Sequence, residues 1–220
     1  MQQWAFDIRS RTFFLLLVIF LIVIILVYTK ITKPMDDAIE NYAQSIGGNP
    51  SLDLVMQILT EIGSLFYMVI FSIGLFIKKH TRRLGLILIL SVLAGTIASA
   101  YIKESVGQER PTLDFAGVPF PIPLEKDTYS FFGAGTFSFP SGHATRTATF
   151  ALVTGIALSK RFPRGCYLLW MYPILVSISR VYVLQHYPTD VIGGIILGIL
   201  VAGIISKKLK LYLMFEKSEP

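Results

Sequence analysis

The sequence holds a single cysteine, Cys166, which excludes an internal disulfide and any cysteine metal cluster and leaves that residue a packing role. Charge is scarce as well: charged residues make up 15% of the 220 positions, against 53% hydrophobic ones. With a mean hydropathy of +0.62, that balance is too apolar for an ordinary soluble domain and points to a membrane protein. There are only three histidines, and no repeat or low-complexity tract interrupts a chain that reads as one domain over residues 1–220. The net charge of +6 would indicate nucleic acid only if it lay on one soluble face. It lies between apolar segments instead, so neither a nucleic-acid partner nor an obligate protein partner is expected.

What the chain has in quantity is apolar runs. Six can be marked, at residues 12–28, 62–77, 84–102, 144–158, 165–183 and 191–205. The first and third can cross a core of ~30 Å unaided, and the others need their polar ends to complete the crossing. The expected fold is therefore all-α, a polytopic membrane bundle of six transmembrane helices. Arg9 and Arg11 precede the first run, as in a secretory signal. Its apolar stretch is long for a signal core, however, and Tyr28-Thr29-Lys30 is no small-residue cleavage site, so it reads as a retained span.

The basic residues outside the runs fall into two alternating groups. Thirteen lie before the first run, after the second, after the fourth and after the sixth, among them Arg9, Lys78, Arg83, Arg161 and Lys207. The opposite group has five: Lys30, Lys33, Lys103, Arg110 and Lys126. The positive-inside rule then makes both termini cytoplasmic in a multi-pass protein of the cell membrane. In the outer connection, Met35, Ile39, Tyr42 and Ile46 recur at helical spacing opposite Asp36, Asp37 and Glu40. That pattern predicts a short amphipathic helix, either lying on the outer membrane face or packed on the other spans. Asp53 and Glu61 are expected at the outer water boundary. The longest outer loop, residues 104–139, carries Phe131, Phe132, Phe137 and Phe139 around Gly133 and Gly135. It reads either as a lid in the interface or as a loop folded onto the helix ends.

Three polar stretches stand at the outer ends of spans three to six. The first runs from Lys103 to Arg110-Pro111. The second is Pro140-Ser141-Gly142-His143, where Ser141 suits a helix N-cap and Gly142 lets a ligand approach the backbone of an anion-binding helix start. The third is Ser179-Arg180, followed by His186 and Asp190. Singly each has a bland reading: a snorkelling cation, a chance tetrapeptide, an interfacial anchor. Arg180 is harder to dismiss, because a charge inside an apolar span is costly. Together, three cations, a helix N-terminus and two imidazoles make a phosphate-transfer site with both nucleophile and acid.

The ordered set Lys103-x6-Arg110-Pro111, Pro140-Ser141-Gly142-His143 and Ser179-Arg180-x5-His186-x3-Asp190 resembles the three-part signature of the type-2 phosphatidic acid phosphatase superfamily. The resemblance implies an integral-membrane enzyme that hydrolyses a lipid phosphate or diphosphate at the outer face. His186 would be the nucleophile that forms a phosphohistidine, Asp190 its orienting partner, and His143 the general acid and base. Lys103, Arg110 and Arg180, with Ser141 and Gly142, would hold the phosphate oxygens. No acidic cluster suited to magnesium stands near them, so no metal or other cofactor is expected. Arg146, outside the signature, would meet a second phosphate or pair with Glu104, Glu109 or Asp190. The small outward-facing six-span chain most resembles members acting on undecaprenyl diphosphate or phosphatidylglycerophosphate. Phosphatidate hydrolysis, phosphotransfer to an alcohol, or non-catalytic transport of anionic lipid are the alternatives.

Overall fold

Short polar signals set where the helices begin in the computed structural model of the chain, which describes residues 9–115, 137–159 and 161–211. Ser10 accepts from the N–H of Phe13 and starts α1 (Arg11–Tyr28). The next helix, α2 (Lys33–Ile46), carries proline in its first turn. Asn49 then caps α3 (Pro50–Ile62) by accepting from Ser51 and Leu52. After a break at Gly63 and Ser64, the chain continues as α4 (Leu65–Gly74), bent 54° from α3. The longest helix, α5 (Arg82–Val106), ends at Gly107, whose φ of 66° is the left-handed cap that glycine adopts without strain. Then come α6 (Gly142–Leu158), a 3-10 helix (Gly165–Trp170) that runs into α7 (Met171–Tyr182), and α8 (Pro188–Lys208). The described residues hold no strand, only an isolated bridge between Glu109 and Phe137.

The architecture is all-helical, as the apolar runs predict, but the spans are less uniform than six runs imply. Among the described residues α1, α5 and α8 are long and apolar enough to cross a membrane, and α3 with α4 makes a fourth if the bent pair is one span. The helix that Asn49 and Pro50 launch runs ahead of the apolar run at 62–77, and its polar residues hide it from a hydropathy reading. One consequence is that Asp53 is buried, not at a water boundary: it accepts from the Tyr182 hydroxyl at 2.6 Å.

The bundle is organised around α6. Fifteen of its seventeen residues are buried, so protein and not lipid surrounds it. Its threonines return their hydroxyls to carbonyls one turn back, Thr145 to Ser141 and Thr147 to His143, so the polar groups stay satisfied in an apolar setting. Small residues bring α8 against it: a Cβ on Gly198 would stand 2.4 Å from the Thr145 carbonyl oxygen, and one on Gly194 2.5 Å from that of Ser141. At one end of the bundle Arg83 donates to the Leu209 carbonyl, so the basic ends of α5 and α8 meet there. Lys103 and Asp190, near the other ends of the same helices, meet at the opposite end through Ser138.

The amphipathic helix is present as α2, with its polar face turned inward. Asp36 and Glu40 are buried, whereas Met35, Tyr42 and Ile46 are exposed. Asp36 accepts from both the hydroxyl and the N–H of Thr189, and Glu40 accepts from the N–H of Leu113. Burial pushes the Asp36 carboxyl above its ordinary pKa, and the bonds from Thr189 partly offset this. So α2 packs on the other helices and presents its apolar stripe outward. Phe131, Phe132, Gly133 and Gly135, read either as a lid or as a loop folded onto the helix ends, lie outside the described residues.

Candidate active site

The turn between α7 and α8 sets the position of His186. Gln185 donates its N–H to the Arg180 carbonyl, and Leu184 takes a positive φ of 53°, which reverses the chain at once after α7. Pro188 then occupies the first position of α8, and Asp190 falls in its first turn. The Asp190 carboxylate stands between two groups: Oδ2 accepts from the Tyr187 N–H at 2.8 Å and lies 3.3 Å from Nδ1 of His186. A carboxylate there holds the ring's proton on Nδ1 and leaves the Nε2 lone pair as the reactive one. His186 and Asp190 are both almost wholly buried.

The start of α6 is bolted to the same turn. Ser141 donates its N–H to the Asp190 carbonyl at 2.9 Å, so the two helix N-termini meet. Ser141 occupies the N-cap position, but its side chain makes no capping bond, and its hydroxyl has no hydrogen-bond partner among the described residues. Lys103 is buried and donates to the carbonyls of Phe137 and Ser138 at 3.0 and 2.9 Å, bracing the segment that leads through a cis Phe139–Pro140 bond into Ser141. Arg110 donates to the Gln185 carbonyl at 2.9 Å, one residue before His186. Gly142 and Arg180 are also buried, Arg180 in the last turn of α7. The three stretches separated in sequence are thus joined by short contacts at one end of the bundle.

Arg146 sits one turn into α6, and its Nη2 lies 3.1 Å from Nδ1 of His143. An arginine can only donate, so Nδ1 of His143 is the acceptor and a neutral ring carries its proton on Nε2. His143 also touches the break between α3 and α4: a Cβ on Gly63 would stand 3.3 Å from its Cδ2. The Tyr172 hydroxyl bonds the Ile62 carbonyl at 2.6 Å, which satisfies an acceptor beside the break.

Some participants were hidden in the sequence. Ser138 is fully buried and bonds Gln108, Glu109 and Asp190, yet as one serine between two phenylalanines it carried no signal. Asp36 holds Thr189 beside Asp190 from a helix more than 150 positions away in sequence. Gly63 was visible only as a small residue within an apolar run. Among the described residues no group of three or more histidine, cysteine, aspartate or glutamate side chains is placed to hold a metal ion.

The chain is 32% identical over 196 residues to phosphatidylglycerophosphatase B of Bacillus subtilis, covering 84% of this chain and 88% of that protein. It is 30% identical over 149 residues to an undecaprenyl-diphosphatase of Sulfolobus acidocaldarius, covering 67% and 66% respectively. The crystal structure of a transmembrane PAP2-type phosphatidylglycerolphosphate phosphatase from Bacillus subtilis superimposes with a TM-score of 0.69 at 27% identity, over 88% of this chain and 93% of that one. With these relatives and its membrane-length helices, the chain is a multi-pass membrane protein. Residues 84–211, which hold every signature position from Lys103 to Asp190, match the PAP2 superfamily, and the chain belongs to that family.

Proposed function

We propose that the protein is a lipid phosphatase that works through a phosphohistidine on His186, without a metal. The observation that carries this reading is the buried His186–Asp190 pair, 3.3 Å apart, in a turn that Arg110 and the N-terminus of α6 also touch. The Nε2 lone pair of His186 attacks phosphorus, and the bond from phosphorus to the lipid oxygen breaks with its electron pair on oxygen. His143 in its protonated form gives that oxygen the Nε2 proton and is left a neutral ring, with Nδ1 beside Arg146. Water then attacks phosphorus, the phosphorus–nitrogen bond breaks with its electron pair on Nε2 of His186, and His143 takes the water's proton, so phosphate leaves with both histidines restored. Lys103, Arg110, Arg180, the Ser141 hydroxyl and the N–H of Gly142 hold the phosphate oxygens, where charge must be stabilised in the in-line transition state.

We place this end of the bundle on the outer membrane face, with both termini in the cytoplasm and six crossings in all. The grouping of thirteen basic residues against five supports that orientation. The bilayer then supplies the substrate laterally, with its head group at the site and its tail in lipid. Undecaprenyl diphosphate is the favoured substrate. The 32% identity to phosphatidylglycerophosphatase B supports phosphatidylglycerophosphate as a second reading.

The test is phosphate release by detergent-purified protein from undecaprenyl diphosphate, phosphatidylglycerophosphate and phosphatidate, with chelator present, wild type beside His186→Ala. Release by the wild type alone upholds the mechanism, and the fastest lipid names the substrate. Equal release by both proteins refutes His186 as the nucleophile, and activity that returns only with added magnesium refutes the metal-free reaction.

A further inference from the structure

A cavity of about 220 Å³ with a charged lining opens between the end of α1, the start of α2 and the end of α5. Its charged lining is Lys30, Lys33 and Arg110 against the single carboxylate of Glu109, with Tyr187 as one wall. Val27 and Tyr28 of α1 give it an apolar edge. Two of its walls are shared with the catalytic site. Arg110 reaches the residue before His186, and the Tyr187 N–H bonds the Asp190 carboxylate that orients His186.

The Lys33 side chain is held in place. Lys33 bonds Asp37 and donates to the Tyr187 hydroxyl at 2.9 Å, with its ammonium 4.5 Å from the centre of the Tyr187 ring. Burial draws the Lys33 pKa down, but the bonds to Asp37 and Tyr187 outweigh it, and the group sits above the ordinary lysine value as a fixed cation. Lys30 has a φ of 59°, in the left-handed region where the chain leaves α1. The Ile31 N–H reaches back to the Leu26 carbonyl there, a helix-ending geometry that favours glycine. A lysine at that position costs backbone strain and brings a cation to the rim of the cavity.

We propose that this cavity binds a second anionic group of the phosphate class, beside the phosphate being transferred at His186. The proposal rests on the lipid-phosphate reading above. A net positive cavity of this size accepts one tetrahedral anion, and its apolar edge at α1 lets the carrier keep its tail in lipid. Two carriers share that chemistry: the substrate itself, when its head group holds two phosphates, and a separate anionic phospholipid.

The test uses the full-length protein in neutral detergent micelles, with a prenyl diphosphate and the prenyl monophosphate of the same chain length. Wild type is compared with Lys30→Gly, which suits the left-handed backbone and so preserves the fold, and with the Lys30→Gly, Lys33→Gln double variant. If the substrate carries the second anion, the double variant raises KM for the diphosphate about tenfold, and its monophosphate constants stay within about twofold of wild type, the scale of losing a hydrogen bond to a charged group. Lys30→Gly alone gives about a threefold rise in the same direction, which decides the matter if the double variant does not fold. If a separate lipid carries it, added phosphatidylglycerol changes the wild-type KM for the monophosphate and leaves that of the variants unchanged. Equal losses on both substrates, or constants unchanged on both and equally responsive to phosphatidylglycerol, overturn the cavity site. Those outcomes leave the His186 reading standing, because that reading fails only if His186→Ala still hydrolyses the monophosphate.

Discussion

Two helices of similar length, α1 and α6, show opposite ways of living in a bilayer. The membrane-spanning window of α1 has a mean hydropathy of 2.9 and is 11% buried, with Phe14 and Ile25 well exposed. By contrast α6 carries a histidine, an arginine and four threonines and is buried along nearly its whole length. Lipid tolerates only side chains with nothing to satisfy, so the helix facing lipid is uniform and chemically silent. The helix surrounded by protein can hold polar groups because neighbouring backbones and side chains bond them. Hydropathy therefore marks most clearly the helix that contributes least to the chemistry.

The contrast can be broken by substitution. The largest effect is expected at His143→Ala, where loss of the acid and base should lower kcat by about 10²–10⁴ with the fold intact by circular dichroism. A fall of less than tenfold would remove His143 from the mechanism. Next, Gly198→Val puts a side chain against the Thr145 carbonyl and should destabilise the α6–α8 crossing by about 3 kcal/mol, read as a drop in thermal midpoint in detergent. An unchanged midpoint would show that the crossing can open without penalty. Arg146→Leu should lower kcat by about tenfold to a hundredfold and leave KM for a monophosphate near the wild-type value, since the Nδ1 lone pair of His143 loses its donor. Recovery in Arg146→Lys would confirm that a donated proton, not packing, is what counts. At the other extreme Ile22→Val, on the exposed side of α1, should change stability by less than about 0.5 kcal/mol and kinetics not at all. A larger effect there would show that α1 faces protein on that side.

The motifs were legible because their chemistry needs particular residue types at fixed short spacings. Asp190 reaches His186 across four positions, which one turn at the start of α8 supplies. The bulk of the fold was legible for a different reason, since long apolar runs have few other uses. What hydropathy could not show was the polar inner face of α3, where Asp53, Gln57 and Thr60 are buried. Thr60 bonds Ser179, and Asp53, which reads as a water-boundary residue, bonds Tyr182, so both belong to a seam between α3 and α7. The partner of Arg146 was invisible for a related reason. Three positions along a helix place it near His143, but a carboxylate or a second phosphate was the natural expectation for a buried guanidinium, and an imidazole nitrogen is among what it meets.

The inverted packing of α2 predicts that the surrounding amphiphile changes turnover. Its outer stripe, Met35, Tyr42 and Ile46, is exposed among the described residues, while its inner Asp36 grips Thr189, the neighbour of Asp190. On the phosphohistidine reading, the helix is a lever that runs from an exposed apolar stripe to the neighbour of the proposed orienting carboxylate. Thinning the amphiphile layer with short-chain detergent should slow turnover in the wild type before the bundle unfolds, and Asp36→Asn should blunt that response. Equal turnover in nanodiscs and in short-chain detergent would show that the lever transmits nothing.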